Sequence, residues 1–557
     1  AGGERRGRWA RQRGAREPVR PRARGAMTDI FGMTGMPKGT EPPKVKSMME
    51  AGDTDGDHKI GTIHRSGREI IHISVGKAGC GMGHEFYRDL AEEHMIEYHN
   101  DDLRGTFMGT DPGQEAHTDV FFDEGTAHRA SGSCRYVPRC ILVDLNMQDL
   151  AQVTQGPLGH LYRPENLIGN DEGSGNCYAK AFHMEGPELA EQVLDIVRKE
   201  SEKCNCLQGV QFSHAIAGGT GSGLTGFLLK VLREWFDSRS KILLQNFSLV
   251  PSQDFCDVVL EPYNAALAFH DLFEHSDQVF VYDNHALDKV CKRTCKSDAP
   301  KRQEMNDIVA LCMSGLTSGL RFKGPLNADL RKMHTNLVPF KGCHFLISSF
   351  AGHDEEKLAS VTHTGPTQKK SALALAQQMV QQDNVTCKCL PLFAGSDGKP
   401  PARILASWAA WRGMWKTEEV DRILYEMSKV GSRFDVHYPD WIPKPIASNV
   451  CQQGHANHGD SVVYIANNTA IIDVLDYTVQ TWERMFAKKA YVSAFKEAGI
   501  EEDDLKESKQ IMEYIMEQYR EYASYPDKIV EEGKVNEDGI KNAARACIGW
   551  RSRDISQ

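Results

Sequence analysis

The chain has 557 residues, with 66 Lys and Arg against 76 Asp and Glu and a formal net charge of −10. Its 40% hydrophobic and 25% charged residues are typical of a globular protein and exclude a disordered or fibrous one. No uninterrupted apolar run approaches the roughly 18 residues of a membrane span, and we expect neither a membrane nor nucleic acid as a partner. The 15 cysteines are scattered, and we interpret them as reduced cytosolic thiols rather than a disulfide framework.

Residues 1–67 are predicted to form a polar extension ahead of the folded part. The first 26 residues carry nine Arg against two Glu, a net charge of +7 that leaves −17 for the remainder. This segment has almost nothing to bury, so we expect a disordered arm. It fits a tether to nucleic acid or to a protein surface, a transit peptide, or a translated untranslated region. The chain does not begin with Met and Met27 is the first candidate start, which favours the last of these.

The folded part is predicted to begin with a strand, a glycine turn and a helix. Glu69–Val75 is a short, mostly apolar run of the kind buried in a parallel sheet. The glycine-rich turn Gly76–Gly83 follows at once and leads into apolar residues at helical spacing. Such a unit directs backbone N–H groups and a helix N-terminus at an anion, as phosphate sites do. The turn fits neither the dinucleotide fingerprint nor the Walker pattern.

A second glycine cluster, Ala217-Gly-Gly-Thr-Gly-Ser-Gly223, is more specific. It lies between an apolar run that ends at Ile216 and an apolar helical pattern that begins at Leu224. Glycines there let the backbone wrap a phosphate chain without Cβ clashes, and the Thr and Ser add hydroxyl donors. A flexible linker would not lie between a buried strand and an amphipathic helix. This cluster therefore predicts a second phosphate loop.

From these residues the chain resembles the tubulin family, whose signature phosphate loop is G-G-T-G-S-G. The resemblance extends from about Arg68 to about Tyr522, and within the family it is most similar to the beta type. The segments that carry it include Arg68-Glu-Ile-Ile-His72, Tyr136-Val-Pro-Arg139, Glu261-Pro-Tyr-Asn264 and Leu326-Asn-Ala-Asp-Leu-Arg-Lys332. It implies an α/β fold: a Rossmann-like GTP-binding domain with a parallel sheet, a smaller α+β second domain and C-terminal helices. The implied boundaries are 1–67 for the extension, 68–300, a connecting helix 301–323, 324–462, 463–530 and a tail 531–557.

The resemblance also implies a GTP site, carried over position by position. Phosphate contacts are expected from Lys77, Ala78, Asp144, Asn146, Gly175, Asn176, Gly218, Gly219, Thr220, Gly221 and Ser222. Asp257 and Glu261 fall at the ribose, Asn284 and Asn306 at the guanine, and Arg302 where an aromatic ring stacks on the base. An Asn amide offers a donor and an acceptor together, which matches the edge that separates guanine from adenine.

Four positions depart from the family pattern. Lys77 replaces a Gln that touches phosphate and metal, and Asn146 replaces a Glu that helps to hold Mg²⁺ through water. Ala215 replaces a Ser, and Arg302 replaces the aromatic residue. The ammonium group of Lys77 can contact phosphate oxygens, whereas the neutral amide of Asn146 binds Mg²⁺ more weakly than a carboxylate does. We therefore expect GTP as ligand and a weakened dependence on Mg²⁺, for which Asn146 is the candidate metal position.

The resemblance further implies contacts between subunits. Asn327, Asp329 and Lys332 match the loop and helix that one subunit presses onto the nucleotide of its neighbour. Alpha-type subunits have Glu at the position of Lys332, and a protonated lysine cannot serve as a general base. No catalytic residue is therefore expected within one chain, and hydrolysis of its GTP depends on assembly. The implied partners are alpha-type tubulin, the microtubule lattice, and motors or microtubule-associated proteins, in the cytoplasmic cytoskeleton.

Two other functions remain alternatives. One is a regulatory or capping tubulin that binds nucleotide without joining the lattice. The other is an NAD-dependent enzyme on a related sheet, which requires a dinucleotide fingerprint that is absent. The acidic outer faces of the C-terminal helices fit either a motor-binding surface or an ordinary solvated face.

Overall fold

The structure is a computed structural model. It describes residues 67–125, 135–170, 173–236, 242–252, 258–294, 299–326, 328–352, 371–388, 402–429, 433–434, 436–439, 441–442, 444–456, 459–524, 530–531 and 534–535. The predicted extension up to residue 66 and the tail from residue 536 lie outside these ranges, as do Asp257 and Asn327.

Within the described residues, one ten-stranded sheet runs in the order β11-β10-β12-β9-β8-β7-β6-β1-β4-β5. Its strands are β1 (Glu69–Val75), β4 (Cys140–Asp144), β5 (Leu167–Gly169), β6 (Leu207–Ala215), β7 (Leu243–Val250), β8 (Gln278–Asp283), β9 (Phe345–Ala351), β10 (Ile404–Arg412), β11 (Ile446–Cys451) and β12 (Ser461–Asn468). Two pairs lie apart from it: β2 (Phe122–Gly125) with β3 (Arg135–Pro138), and β13 (Val530–Glu531) with β14 (Lys534–Val535).

The seven neighbouring strands β9, β8, β7, β6, β1, β4 and β5 are parallel, and β1 lies in their interior between β6 and β4. Every residue of β1 is buried, and Ile73 pairs with Ile141 of β4 and Phe212 of β6. The predicted strand Glu69–Val75 is confirmed residue for residue, because an apolar run that must be covered on both faces fits only the interior of such a sheet. The carboxyl ends of these strands therefore meet at one edge.

Helices cover both faces of the sheet. They are α1 (Gly76–Glu93), α2 (Pro112–Glu115), α3 (Met147–Thr154), α4 (Tyr178–Lys180), α5 (Gly186–Lys203), α6 (Thr225–Trp235), α7 (Glu261–His275), α8 (Asn284–Thr294), α9 (Arg302–Arg321), α10 (Leu330–Leu337), α11 (Ala372–Met379), α12 (Thr417–Met427), α13 (Ile471–Phe486), α14 (Val492–Glu497) and α15 (Glu502–Ser524). α1 and α9 pack against each other, and α7 packs against α13 and α15.

α9 differs from its sequence pattern. Apolar residues three and four apart predict one buried face, but every residue from 308 to 321 is buried. The reason is that α9 contacts α1 on one side and strands β9 to β12 on another, so its small residues are needed where neighbours come close. A Cβ on Gly315, for example, would lie 2.3 Å from Cγ2 of Val463.

A buried ion cluster joins the ends of three elements. Glu93 in the last turn of α1 accepts bonds of 2.6 Å from Arg321 at the end of α9 and from Arg412 at the end of β10. Ser314 donates to the same carboxylate at 2.7 Å. The side chains of Glu93 and Arg321 are 0% exposed and that of Arg412 is 1% exposed. Full burial makes these pairs sensitive to the loss of any one charge.

Candidate nucleotide-binding site

The two predicted phosphate turns lie directly against each other at the carboxyl edge of the sheet. α1 begins at Gly76 immediately after β1, and the Thr220–Leu224 turn leads from β6 into α6. Gly76 has φ +74°, and a Cβ there would lie 3.2 Å from the backbone nitrogen of Gly221. This left-handed conformation and the close approach both favour glycine.

The glycines of the second turn have different surroundings. A Cβ on Gly219 would lie 2.5 Å from the backbone nitrogen of Cys177, and one on Gly221 would lie 2.6 Å from the carbonyl of Ala215. Gly218 has no heavy atom within 4 Å of that position, so it faces open space. The Ser222 hydroxyl donates to the carbonyls of Gly218 and of Gly219, the latter at 3.1 Å.

A third loop, residues 173–176, completes the edge. Gly173, Gly175 and Asn176 all have positive φ, and Asn176 has φ +56° although it is not glycine. The N–H of Gly173 donates to the carbonyl of Leu145 at 3.1 Å, which ties the loop to the end of β4. The hydroxyls of Ser174 and Thr220 are 3.2 Å apart, so this loop also meets the second glycine turn.

Asn264 on α7 connects these loops and was not assigned a role from the sequence. Its Nδ2 donates to the carbonyls of Asn176, at 2.8 Å, and Ala217, at 3.0 Å. Its Oδ1 accepts from the N–H of Tyr178 at 3.0 Å. The segment Glu261-Pro-Tyr-Asn264 carried a sequence signal, but only Glu261 received a role, because these contacts bridge 47 to 88 residues of chain.

Charged groups gather where β4 ends and α3 begins. Lys77 Nζ donates to Oδ1 of Asp149 at 2.8 Å, and the Asn146 amide donates to Oδ2 of the same carboxylate at 3.0 Å. Asn146 Oδ1 also accepts the N–H of Gln148 at 3.0 Å, so it caps α3. Burial and, to a smaller extent, the Asp149 carboxylate raise the pKa of Asp144 to about 6. Asp149 is a second residue that the sequence reading missed.

The residues predicted at the ribose and at the base begin or border helices at the same edge. Asn284 is the first residue of α8 and follows β8 directly, and Glu261 is the buried first residue of α7. Asn306 lies in the second turn of α9, where its amide nitrogen would be 2.8 Å from a Cβ on Gly81. Arg302 begins α9 and is exposed. The structure thus places Asn306 beside the first glycine turn, whereas Asp257 lies outside the described residues.

Comparison with known families decides the family. Residues 69–292 match the model of the Tubulin/FtsZ family, GTPase domain, and residues 342–479 match the Tubulin C-terminal domain. The chain belongs to the tubulin family. The predicted family and the α/β fold class are thereby confirmed, and the chain is a GTP-binding cytoskeletal protein. None of the helices among the described residues is long and apolar enough to cross a membrane.

In this tubulin, a buried histidine on β6 supports the second glycine turn, which carries the family signature at residues 218–223 and which we call the signature loop. The Nδ1–H of His214 donates to the carbonyl of Gly221 at 2.9 Å, and Ser248 donates to Nε2 at 2.8 Å. Burial lowers the pKa of His214 to about 4, so the ring is neutral at physiological pH and its two nitrogens can play these opposite roles. His214 is a third supporting residue that the sequence reading missed.

The residues predicted to contact a neighbouring subunit lie elsewhere. Asp329 precedes α10, and Lys332 is exposed in its first turn. α10 packs by Leu330, whose Cδ1 would be 3.4 Å from a Cβ on Gly209 in the first half of β6. The signature loop follows the other end of that strand, after Ala215. Six residues of strand, roughly 20 Å, therefore separate α10 from the nucleotide loops.

Proposed function

We propose that the chain is a beta-like tubulin subunit that pairs with an alpha-type subunit and enters a microtubule in the cytoplasm. One observation carries the proposal: the nucleotide loops and α10 lie at opposite ends of β6. A subunit with two different complementary ends associates head to tail, and such contacts repeat into open filaments. GTP held at one end of a subunit is then covered by α10 of the next subunit.

The side chains at the start of α10 support a proposal about which of the two nucleotides is hydrolysed. The first turn of α10 presents the exposed basic residues Arg331 and Lys332. A general base for the attacking water must accept a proton, which a cationic side chain does not do. This chain therefore leaves intact the nucleotide that it covers, and its own GTP is hydrolysed when a partner with a carboxylate at the corresponding position is added.

Residues of this chain bind the phosphates and orient them. The helix N-terminus of α1 and the glycine backbone around Gly218 and Gly219 supply N–H donors for phosphate oxygens. Lys77 brings a positive charge to the same end of the site, beside Asp149. Neutral His214 holds the carbonyl of Gly221, which keeps the loop in one conformation before the ligand arrives.

The fit of Mg²⁺ depends on one carboxylate. No group of three or more His, Cys, Asp or Glu in the part of the chain that the structure describes is arranged to hold a metal ion. Mg²⁺ bound to a nucleotide keeps its waters and needs only one or two carboxylates, and Oδ2 of Asp144 is buried without a hydrogen-bond partner. Asp144 would hold Mg²⁺, which would neutralise phosphate charge, while Asn146 and Asp149 are engaged with other groups. We therefore propose a weakened Mg²⁺ dependence.

The exposed side of α15 suggests a further class of partner. Glu507, Glu513 and Glu517 are exposed along this helix, while Leu505, Met512 and Ile515 of the opposite side are buried. Glu513 pairs with Lys509 at 3.2 Å, so Glu507 and Glu517 supply most of the negative charge on this side, and exposed carboxylates attract basic proteins by long-range electrostatics. We include motors and microtubule-associated proteins among the proposed partners on this ground.

Co-sedimentation with alpha-type tubulin and GTP tests the proposed function. We expect the chain to appear in the pellet in a one-to-one ratio with the alpha subunit. A chain that alters polymer length while remaining substoichiometric would instead be a regulatory or capping tubulin. In the polymer, Lys332→Glu should speed hydrolysis of the nucleotide that α10 covers, and the neighbouring variant Arg331→Glu should not. Equal hydrolysis by the two variants would contradict the role given to position 332.

A further inference from the structure

One buried side chain holds together three segments of the nucleotide site. Asn264 is 0% exposed, and its amide contacts backbone atoms of Tyr178, Asn176 and Ala217 at 2.8 to 3.0 Å. Asn176 lies in the 173–176 loop, Tyr178 begins the helix that follows this loop, and Ala217 begins the signature loop. A buried amide needs hydrogen-bond partners, but those partners could all come from one segment of the chain.

The loops that Asn264 joins need an external constraint. Asn176 has φ +56°, a left-handed conformation that is uncommon for a residue with a Cβ, and Gly173 and Gly175 also have positive φ. Asn176 keeps this conformation only where its surroundings determine it, whereas the glycines adopt positive φ without strain and leave the loop free to move. Nδ2 of Asn264 grips the carbonyl of Asn176 itself, and Oδ1 grips the N–H of Tyr178 two residues later.

The same amide fixes how closely the loops approach. A Cβ on Gly219 would lie 2.6 Å from the carbonyl carbon of Asn176, so the two loops are in direct backbone contact. The second N–H of Asn264 reaches Ala217, at the start of the signature loop. A shift of one loop relative to the other would therefore break a bond to Asn264.

We propose that Asn264 is a positioning residue that sets the affinity for the phosphates of the nucleotide and not for its base. It acts by holding the 173–176 loop and the signature loop at one separation, so that their backbone N–H groups converge. The proposal rests on the GTP binding described under Proposed function. Asn264 itself makes no contact with the ligand.

Asn264→Asp in the full-length chain tests the proposal. The carboxylate keeps the acceptor for Tyr178 but places an oxygen against the carbonyls of Asn176 and Ala217, which pushes the loops apart. We expect the affinities for GTP and GDP, measured by competition with a fluorescent GTP analogue, to fall roughly ten- to a hundredfold. The affinity for GMP should change less than about threefold, and the preference for GTP over ATP should be unchanged.

Asn467→Asp is a matched control. Asn467 is also 0% exposed, its Nδ2 donates to the carbonyls of Leu337 and Cys343 at 2.9 and 2.7 Å, and its Oδ1 accepts from the hydroxyl of Tyr519 at 3.2 Å. This variant loses the same bonds far from the phosphate loops, so its affinities for GTP and GMP should keep the wild-type ratio. If Asn264→Asp also keeps that ratio while the wild-type chain binds GTP, the positioning role is wrong. If the wild-type chain does not bind GTP, the proposed function fails instead.

Amide hydrogen exchange of the nucleotide-free wild-type chain gives a second measurement that does not depend on the folding of a variant. The N–H of Tyr178 donates to Asn264, so we expect it to exchange slowly even before GTP is added. Rapid exchange at Tyr178 in the nucleotide-free chain would show that Asn264 does not hold the loop, and would overturn the proposal.

Discussion

Glu93→Gln should be among the most destabilising single changes in this tubulin. Glu93 is the shared partner of Arg321 and Arg412, and all three side chains are at most 1% exposed. Gln keeps the shape and one acceptor but leaves two buried guanidinium groups without a counter-charge. Removing one partner of a buried ion pair costs about 3–5 kcal/mol, against a total stability of about 5–15 kcal/mol for a domain. We expect the free energy of unfolding to fall by about 3–5 kcal/mol.

Denaturant unfolding of the full chain at pH 7 measures this change as a shift of the midpoint. The exposed Glu191→Gln on α5 is the control and should change stability by no more than about 0.5 kcal/mol. Burial alone would raise the pKa of Glu93, but Arg412 and Arg321 outweigh burial and hold the pKa well below its usual value. The carboxylate therefore contributes stability above its unfolded pKa and loses it as pH falls through the lower folded value. A loss below about 1 kcal/mol at pH 7 would refute this reasoning.

Two further predictions concern the nucleotide end. Lys77→Gln removes the cation that pairs with Asp149 at 2.8 Å. The ratio of the GTP affinity in Mg²⁺ to that in a chelator should therefore rise about tenfold. The exposed Lys289→Gln is the control and should leave this ratio unchanged. An unchanged ratio for Lys77→Gln would contradict the compensation between ammonium and metal. Burial lowers the pKa of His214 to about 4, so the unfolded chain takes up a proton below pH 6.5 that the folded chain excludes, and stability falls between pH 6.5 and 4. Unfolding followed across this range should show a pH dependence up to about 3 kcal/mol smaller in His214→Gln, and parallel curves would contradict the neutral buried ring.

Most features of the fold that could be predicted from the sequence depend on local residue patterns. The strand Glu69–Val75 is confirmed at both ends, since an uninterrupted apolar run followed by glycine marks its limits. Both glycine turns lie at the predicted junctions of strand and helix. Each of these features depends on residues within a few positions of one another.

The supporting contacts of the site could not be predicted in the same way. Lys77 and Asp149 are 72 residues apart, Asn264 and Asn176 are 88 apart, and Glu93 and Arg412 are 319 apart. No period or spacing in one sequence specifies which distant side chains meet, because that depends on the order of strands in the sheet. Departures such as Lys77 and Asn146 were visible, but their shared partner Asp149 appears only when α1 and α3 are placed side by side.

α1 is one uninterrupted helix of 18 residues, a rod of roughly 27 Å. Its first turn lies among the phosphate loops, and its last turn delivers Glu93 to Arg321 and Arg412. Because an α-helix is stiff along its axis, a displacement of its first turn would be carried to its last turn, where Glu93 bonds Arg412 of β10 directly; α1 also reaches β10 through its packing against α9. α1 therefore connects the phosphate loops at one end of the domain to the buried ion cluster of Glu93, Arg321 and Arg412 at the other.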